Sequence, residues 1–355
     1  MSTNAMAWEA RLAAAGIALA DVESTASAAT PANPWYLRLM AGIGAFIGAI
    51  MVLLLLGLGL SSLRLFDSAQ SAGAVGLFLC VSSIGMYAFW RGVAAEQFAL
   101  AVSIAGQAGF AISVADLFRS GASISWWPLV GLQALLWLLI GNGLHRTLTG
   151  AALAVFGALS CRAPAALAAW WAALVLVAAA ILAAEAWFAA RGRGHAVGPA
   201  FFGLIAGVIA AQIPWFFKLW PGSPAAGPEA LPWATQVPAM LLITWAATAG
   251  APAATRVGAL LLGFATASLG AWLPGWIPAL VLALGGLAWA RPGWAVVAAL
   301  VLIFSVSVYY YSLAITLLDK AARMALAGVA CIALAAVVQQ VGARWPGPHS
   351  QREAQ

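Results

Sequence analysis

From Arg38 to Gln340 the sequence is a succession of long uncharged runs, interrupted by one or two charges at a time. No motif in the chain constrains it as strongly as this pattern. A helix rises about 1.5 Å per residue, so roughly 20 apolar residues cross the 30 Å or so of bilayer hydrocarbon. Only 7% of the 355 residues are charged and 64% are hydrophobic, whereas soluble domains carry about 25% charged residues. Such a chain cannot cover a globule of its size with polar surface, so its solvent must be lipid.

The expected fold is therefore all-α, a polytopic transmembrane helical bundle. Twelve candidate spans are drawn at 39–60, 71–90, 98–117, 126–142, 147–161, 165–189, 197–217, 231–250, 255–273, 275–290, 293–312 and 321–340. Between ten and thirteen spans fit the length, at roughly 25 residues each. The segments 147–161 and 275–290 are the shortest and richest in Ala and Gly, and either can reach only part-way. Loops are then too short to hold a soluble domain. Residues 1–37 read as a short cytoplasmic amphipathic helix carrying Trp8, Leu12, Ala15 and Leu19, followed by a Pro-containing linker; 38–340 form the transmembrane domain; 341–355 are a cytoplasmic tail. A cleaved leader is the competing reading of the first 20 residues, and Glu9 argues against it.

Charge sets the expected orientation. With twelve spans, one side carries Arg11, Arg38, Arg91, Arg146, Arg191, Arg193, Arg256, Arg291, Arg344 and Arg352, and the other Arg64, Arg119, Arg162, Lys218, Lys320 and Arg323. Ten against six places both termini in the cytoplasm of a bacterial inner membrane. The net charge of +6 is spread over loops, which excludes a basic nucleic-acid face. Of the 18 Trp, Trp35, Trp90, Trp126, Trp127, Trp220, Trp276 and Trp345 fall near span ends, as interface anchors do.

No catalytic signature is present, neither HExxH, P-loop nor GxSxG. His145, His195 and His349 are far apart in sequence, the first two beside Arg in expected loops. Cys80, Cys161 and Cys331 have neither disulfide nor zinc spacing, and the first and last read as small buried hydrophobes. No cofactor, metal or enzymatic activity is expected.

Polar residues inside the spans carry more information, because hydrocarbon makes them costly. Glu185 stands within an apolar run, with Gln107, Gln133 and Gln212 in other spans; together they form a candidate intramembrane polar site. Snorkelling of Glu185 toward Arg191 and Arg193 is the plainer reading, and interhelical hydrogen bonding that of the glutamines. Gly44-x-x-x-Gly48 and Gly203-x-x-x-Gly207 read as helix-packing faces. A weak repeat links 126–159 to 276–304, each reading Trp, Pro, apolar helix, short basic turn, apolar helix.

The densest polar signal comes late. Tyr309, Tyr310 and Tyr311 are three of only five tyrosines, and Asp319, Lys320 and Arg323 follow. Tyr at a span end anchors the headgroup region and also suits a binding surface. These six residues are the candidate interaction site, and membrane anchoring alone is the alternative.

The stretch from Tyr309 to Ala335 resembles the end of the bacterial membrane family called domain of unknown function 4401. The matching positions are the three tyrosines, Leu313, Leu317, Leu318, Lys320 and Gly328; Pro34, Trp35 and Tyr36 resemble the family's approach to the first span. Ala321 stands where many members have Ser. The resemblance implies a multi-span inner-membrane protein with no established activity, and, as possible partner, a small membrane-anchored protein named for a GDYxxLxY motif. Two functions stay open: a non-enzymatic membrane component of a partner-protein complex, or a transporter or lipid-handling protein with a polar path through its bundle.

Overall fold

The computed structural model describes residues 68–90, 92–119, 126–161, 163–216, 235–249, 252–269 and 275–312, with isolated helical positions between 40 and 59 and at 318, 321 and 325. The expected N-terminal helix and linker and the C-terminal tail lie outside the described residues. Among those described, every element is helical: α1 (Ala69–Phe89), α2 (Val93–Arg119), α3 (Trp127–Leu139), α4 (Gly143–Ser160), α5 (Pro164–Ala183), the single turn α6 (Glu185–Ala189), α7 (Gly194–Phe216), α8 (Val237–Ala247), α9 (Ala253–Leu269), α10 (Trp276–Ala288) and α11 (Pro292–Ser312).

Each segment expected to span between 71 and 312 overlaps a described helix. Four described stretches are long and apolar enough to cross a membrane: Ala69–Phe89, Ala94–Asp116, Pro164–Ala183 and Gly194–Gln212. The segment expected as one span over 165–189 is broken at Ala184, and Glu185 opens the short turn beyond the break. Of the two segments expected to be short, 275–290 holds a helix of 13 residues, about 20 Å long. The other, 147–161, belongs to an 18-residue helix, and the short member of that hairpin is the 13-residue α3. The two halves of the weak repeat thus share a layout: a 13-residue helix, a tight turn, and a longer helix packed back against it.

Local sequence explains the helix ends. Ser68 and Ser71 form a reciprocal capping box at the start of α1. Asn142 caps α4 by accepting from the His145 amide, and proline occupies the first turn of α3, α5 and α8. Gly275, in the left-handed region at φ 76°, turns the chain into α10.

Burying apolar side chains gains little against lipid, so close packing of small residues must hold such a bundle together. Gly76 of α1 faces Gly106 of α2 so tightly that an added Cβ would lie 2.6 Å from the opposing carbonyl oxygen. Gly203 and Gly207 press α7 onto α4 at Thr147 and Ala151, with the same consequence. Their spacing was expected to mark a packing face, and it does. Gly44 and Gly48 meet no described atom within 4 Å. The largest core lies among α5, α7, α8 and α10, around Trp171, Phe201, Leu182, Ile243 and Leu282. Phe78, Val81, Leu138, Leu261 and Ile303 are exposed on the outside of the bundle. Helices apolar on both faces are what a lipid solvent demands.

The aromatic anchors divide. Trp90 and Trp127 are exposed at helix ends as expected. Trp276 is instead tied into the bundle by donating to the Thr266 carbonyl.

Candidate intramembrane site

Glu96, Ser103 and Gln107 lie at i, i+7 and i+11 on α2, which puts them on one face of the helix. That face meets Gln133 of α3 and the first turn of α4. Six residues join there in one string, side chain to side chain except where Asn142 meets the His145 backbone. Asn142 Nδ2 donates to Glu96 Oε2 at 2.7 Å, and Asn142 Oδ1 accepts from the His145 backbone N–H at 3.1 Å. His145 Nε2 meets Ser103 Oγ at 2.8 Å. Gln107 Nε2 donates to the same oxygen at 3.0 Å, and Gln133 Nε2 donates to Gln107 Oε1 at 2.9 Å. Ser103, Gln133 and His145 are fully buried. Tyr87 of α1 closes the side of the site, its ring edge-on to the imidazole at 5.6 Å.

Ser103 Oγ accepts from Gln107 and shares one further hydrogen bond with His145 Nε2, whose direction follows the imidazole tautomer. His145 Nδ1, Tyr87 Oη and Gln133 Oε1 are buried and find no partner among the described residues. Buried polar atoms are usually satisfied, so three such atoms around one string mark unused hydrogen-bonding capacity inside the bundle. From Glu96 to Gln107 the string climbs about 16 Å along α2, roughly half the thickness of the hydrocarbon.

A serine against a histidine is also the geometry of a nucleophile and its base. The surroundings do not suit that chemistry. Ser103 lies mid-helix, fully buried, its oxygen already engaged by Gln107. The backbone amides on either side of it are spent on α2 itself.

The expected polar site therefore divides into three. Gln107 and Gln133 do come together. Gln212, at 0% exposure, is elsewhere, accepting from the Gly275 backbone N–H at 2.7 Å. Glu185 is elsewhere again: it is buried and pairs with Arg291, 106 residues on, at 2.7 Å. It does not snorkel to Arg191, whose guanidinium stacks 3.7 Å over Trp187. Arg291 also packs 4.5 Å from the Trp294 ring and covers the bare backbone of Gly198.

His145 was expected in a loop and is instead inside the bundle. The missed signal is Asn142, which starts a helix at that point and so turns His145 into its first turn. Cys80 is buried, as expected, with its thiol toward the Ser103 carbonyl at 3.9 Å. No group of three or more His, Cys, Asp or Glu suited to a metal exists among the described residues. Tyr309, Tyr310 and Tyr311 belong to the last turn of α11, with side chains outside those described. Asp319, Lys320 and Arg323 lie outside the described residues altogether.

The family model for the domain of unknown function DUF4401 matches residues 34–341. The chain belongs to the DUF4401 family. The match spans all the described helices, so the buried string and the Glu185–Arg291 pair both fall within the DUF4401 domain. No curated protein and no solved structure matches the chain.

Proposed function

We propose that this DUF4401 protein is a multi-pass protein of the bacterial inner membrane, crossing about twelve times with both termini in the cytoplasm, and that its bundle binds and passes a small polar or protonatable solute. The string from Glu96 through Asn142, His145, Ser103 and Gln107 to Gln133 carries the reading. It leads from the end of the bundle where Glu96 and Asn142 lie to mid-depth, and it ends among buried groups with hydrogen bonds still to make. Transporters commonly place their sites at that depth. Glu96 supplies a carboxylate, His145 an imidazole, and the glutamines neutral amides along the same string. No catalytic reaction is part of this reading.

Proton movement is the direct test. The full chain is reconstituted in liposomes holding a pH-sensitive dye, and a potassium diffusion potential is imposed. Flux should exceed that of empty liposomes and fall at least tenfold in His145→Leu and in Gln133→Leu. Flux equal to empty liposomes, or unchanged in both variants while each remains monodisperse, removes the proton path.

A partner-binding role is the second reading, favoured by the concentration of Tyr309, Tyr310, Tyr311, Asp319, Lys320 and Arg323 in 15 positions of a chain with so few polar residues. Under the twelve-span arrangement this turn is periplasmic and its two cations run against the positive-inside preference. An acidic surface on a small membrane-anchored protein of the GDYxxLxY type would offset them. Tyr310→Ala with Lys320→Ala should then reduce co-purification of that protein without reducing the amount in the membrane.

A further inference from the structure

The tight turn between α3 and α4 and the turn between α6 and α7 bring two arginines to one groove. Arg146 and Arg193 both line it, and burial, with the nearby charge of Arg193 adding to it, disfavours the Arg146 cation. Its volume is about 340 Å³. Beyond the arginines the wall is apolar, formed by Leu138, Val177, Ile181 and Phe188. Leu138 is 66% exposed and Val177 47%, so the groove opens sideways on the outer face of the bundle, where lipid is the solvent.

Like charges held together at the end of an apolar groove call for an anion. Glu185 serves Arg291, and neither Arg146 nor Arg193 has a carboxylate within ion-pair distance among the described residues. Arg146 is held in place, donating from Nε to the Trp137 carbonyl at 3.2 Å, a contact that does not use its terminal N–H groups. A planar guanidinium fork suits the oxygens of a phosphate, and a second beside it adds both charge and donors. Basic pockets between membrane helices are recognised seats for anionic headgroups.

We propose that this groove is a binding site for an anionic phospholipid, its phosphate held by Arg146 and Arg193 and one acyl chain laid along Leu138, Val177, Ile181 and Phe188. A free anion would have no use for the apolar wall, and a neutral lipid none for the paired charges. This site is separate from the buried string at His145 and stands or falls independently of the solute reading.

Native mass spectrometry of the full chain in detergent tests it. Cardiolipin or phosphatidylglycerol should be retained at about tenfold lower lipid concentration than phosphatidylcholine, a factor worth about one charge-assisted hydrogen bond. Arg146→Gln with Arg193→Gln should abolish the preference, whereas Arg191→Gln, on the cation already stacked on Trp187, should retain it. Ile181→Trp, which fills the groove, should weaken retention of every lipid. If the double variant is not monodisperse, Arg193→Gln alone, at an exposed position, should still lower the preference severalfold. Equal retention of anionic and neutral lipid overturns the proposal. So does displacement of lipid by millimolar inorganic phosphate, which would mark a free-anion site, or a lipid-free dimer that Ile181→Trp breaks, which would mark a second copy as the occupant.

Discussion

Gly198 is the sharpest probe of the Glu185–Arg291 pair because it can break the pair without touching either charge. An added Cβ at Gly198 would fall on the Arg291 guanidinium, and its three nearest atoms all belong to that group. Gly198→Ala must therefore displace the Arg291 guanidinium, and the displacement is expected to take it off Glu185. Removing one partner of a buried pair costs about 3–5 kcal/mol. The Arg291 side chain is 31% exposed against 7% for Glu185, so water or headgroups can take up part of its charge, and about 2–3 kcal/mol is the better figure. In an Arg291→Ala background the obstruction is gone. Alanine within α7 is then the better helix residue by roughly 0.5–1 kcal/mol. The same Gly198→Ala change should thus destabilise the parent protein and stabilise the Arg291→Ala variant. Unfolding in mixed micelles, titrated with sodium dodecyl sulfate and followed by Trp fluorescence, gives the four free energies of the cycle. Glu185→Leu should match the loss in Gly198→Ala, and Glu185→Gln, which keeps an acceptor carbonyl, should cost less. The reasoning is refuted if the two changes add to within about 0.5 kcal/mol, the level expected of independent sites.

Gly207→Leu should prevent assembly or cost more than about 3 kcal/mol, because Ala151 backbone lies 2.5 Å from the added Cβ, whereas Gly48→Leu should be nearly silent; thermal stability of the purified variants decides. Gln212→Met keeps the side-chain length and removes the acceptor for the Gly275 N–H, so it should cost about 1–3 kcal/mol in the same micelle titration. Reporter fusions at residues 5 and 350 should both give cytoplasmic signals, and a periplasmic signal at either end refutes the arrangement with both termini in the cytoplasm.

Much of the fold was legible because a helix that crosses lipid must be apolar along its whole length, a property written in consecutive residues. Pairings across the bundle were not. Glu185 stands six and eight positions before Arg191 and Arg193, so the sequence points to the near cations, yet its partner is 106 residues away. Packing of α10 against α5 and α7 brings the turn before α11 to that point. The buried string was half legible. Glu96, Ser103 and Gln107 share a helical face by spacing alone, and two glutamines in neighbouring spans invite an interhelical bond. His145 was hidden by the arginine beside it, which gives the stretch the look of a solvent-exposed turn. That appearance holds for the backbone at Gly141 and Asn142 and fails one turn later, where the cap has already started α4.

The intramembrane polar groups, read together as one site from sequence, turn out to answer three different physical demands. Gln212 meets a backbone demand. The helix α10 has only 13 residues and cannot run from one water phase to the other, so its first amide is stranded among α7, α10 and α11. A bilayer offers no water there, and a side-chain carbonyl must take its place. Glu185 meets an electrostatic demand, neutralising the arginine that closes the second helical hairpin. The first hairpin has the same short-helix, turn, long-helix layout, and its Arg146 has no such carboxylate among the described residues. Its cation is directed into the groove shared with Arg193. The two halves of the repeat have therefore disposed of the same charge in opposite ways, one by an internal acid and the other toward the bilayer. Neither demand explains Gln107 and Gln133. Their amides cap no helix end and neutralise no charge, and burying them achieves nothing for backbone or ion pair. What they do is join α2 to α3 by the interhelical bond expected of them and continue the hydrogen bonds of His145 along α2, and that is why the proposed solute path follows this string and neither of the other two sites.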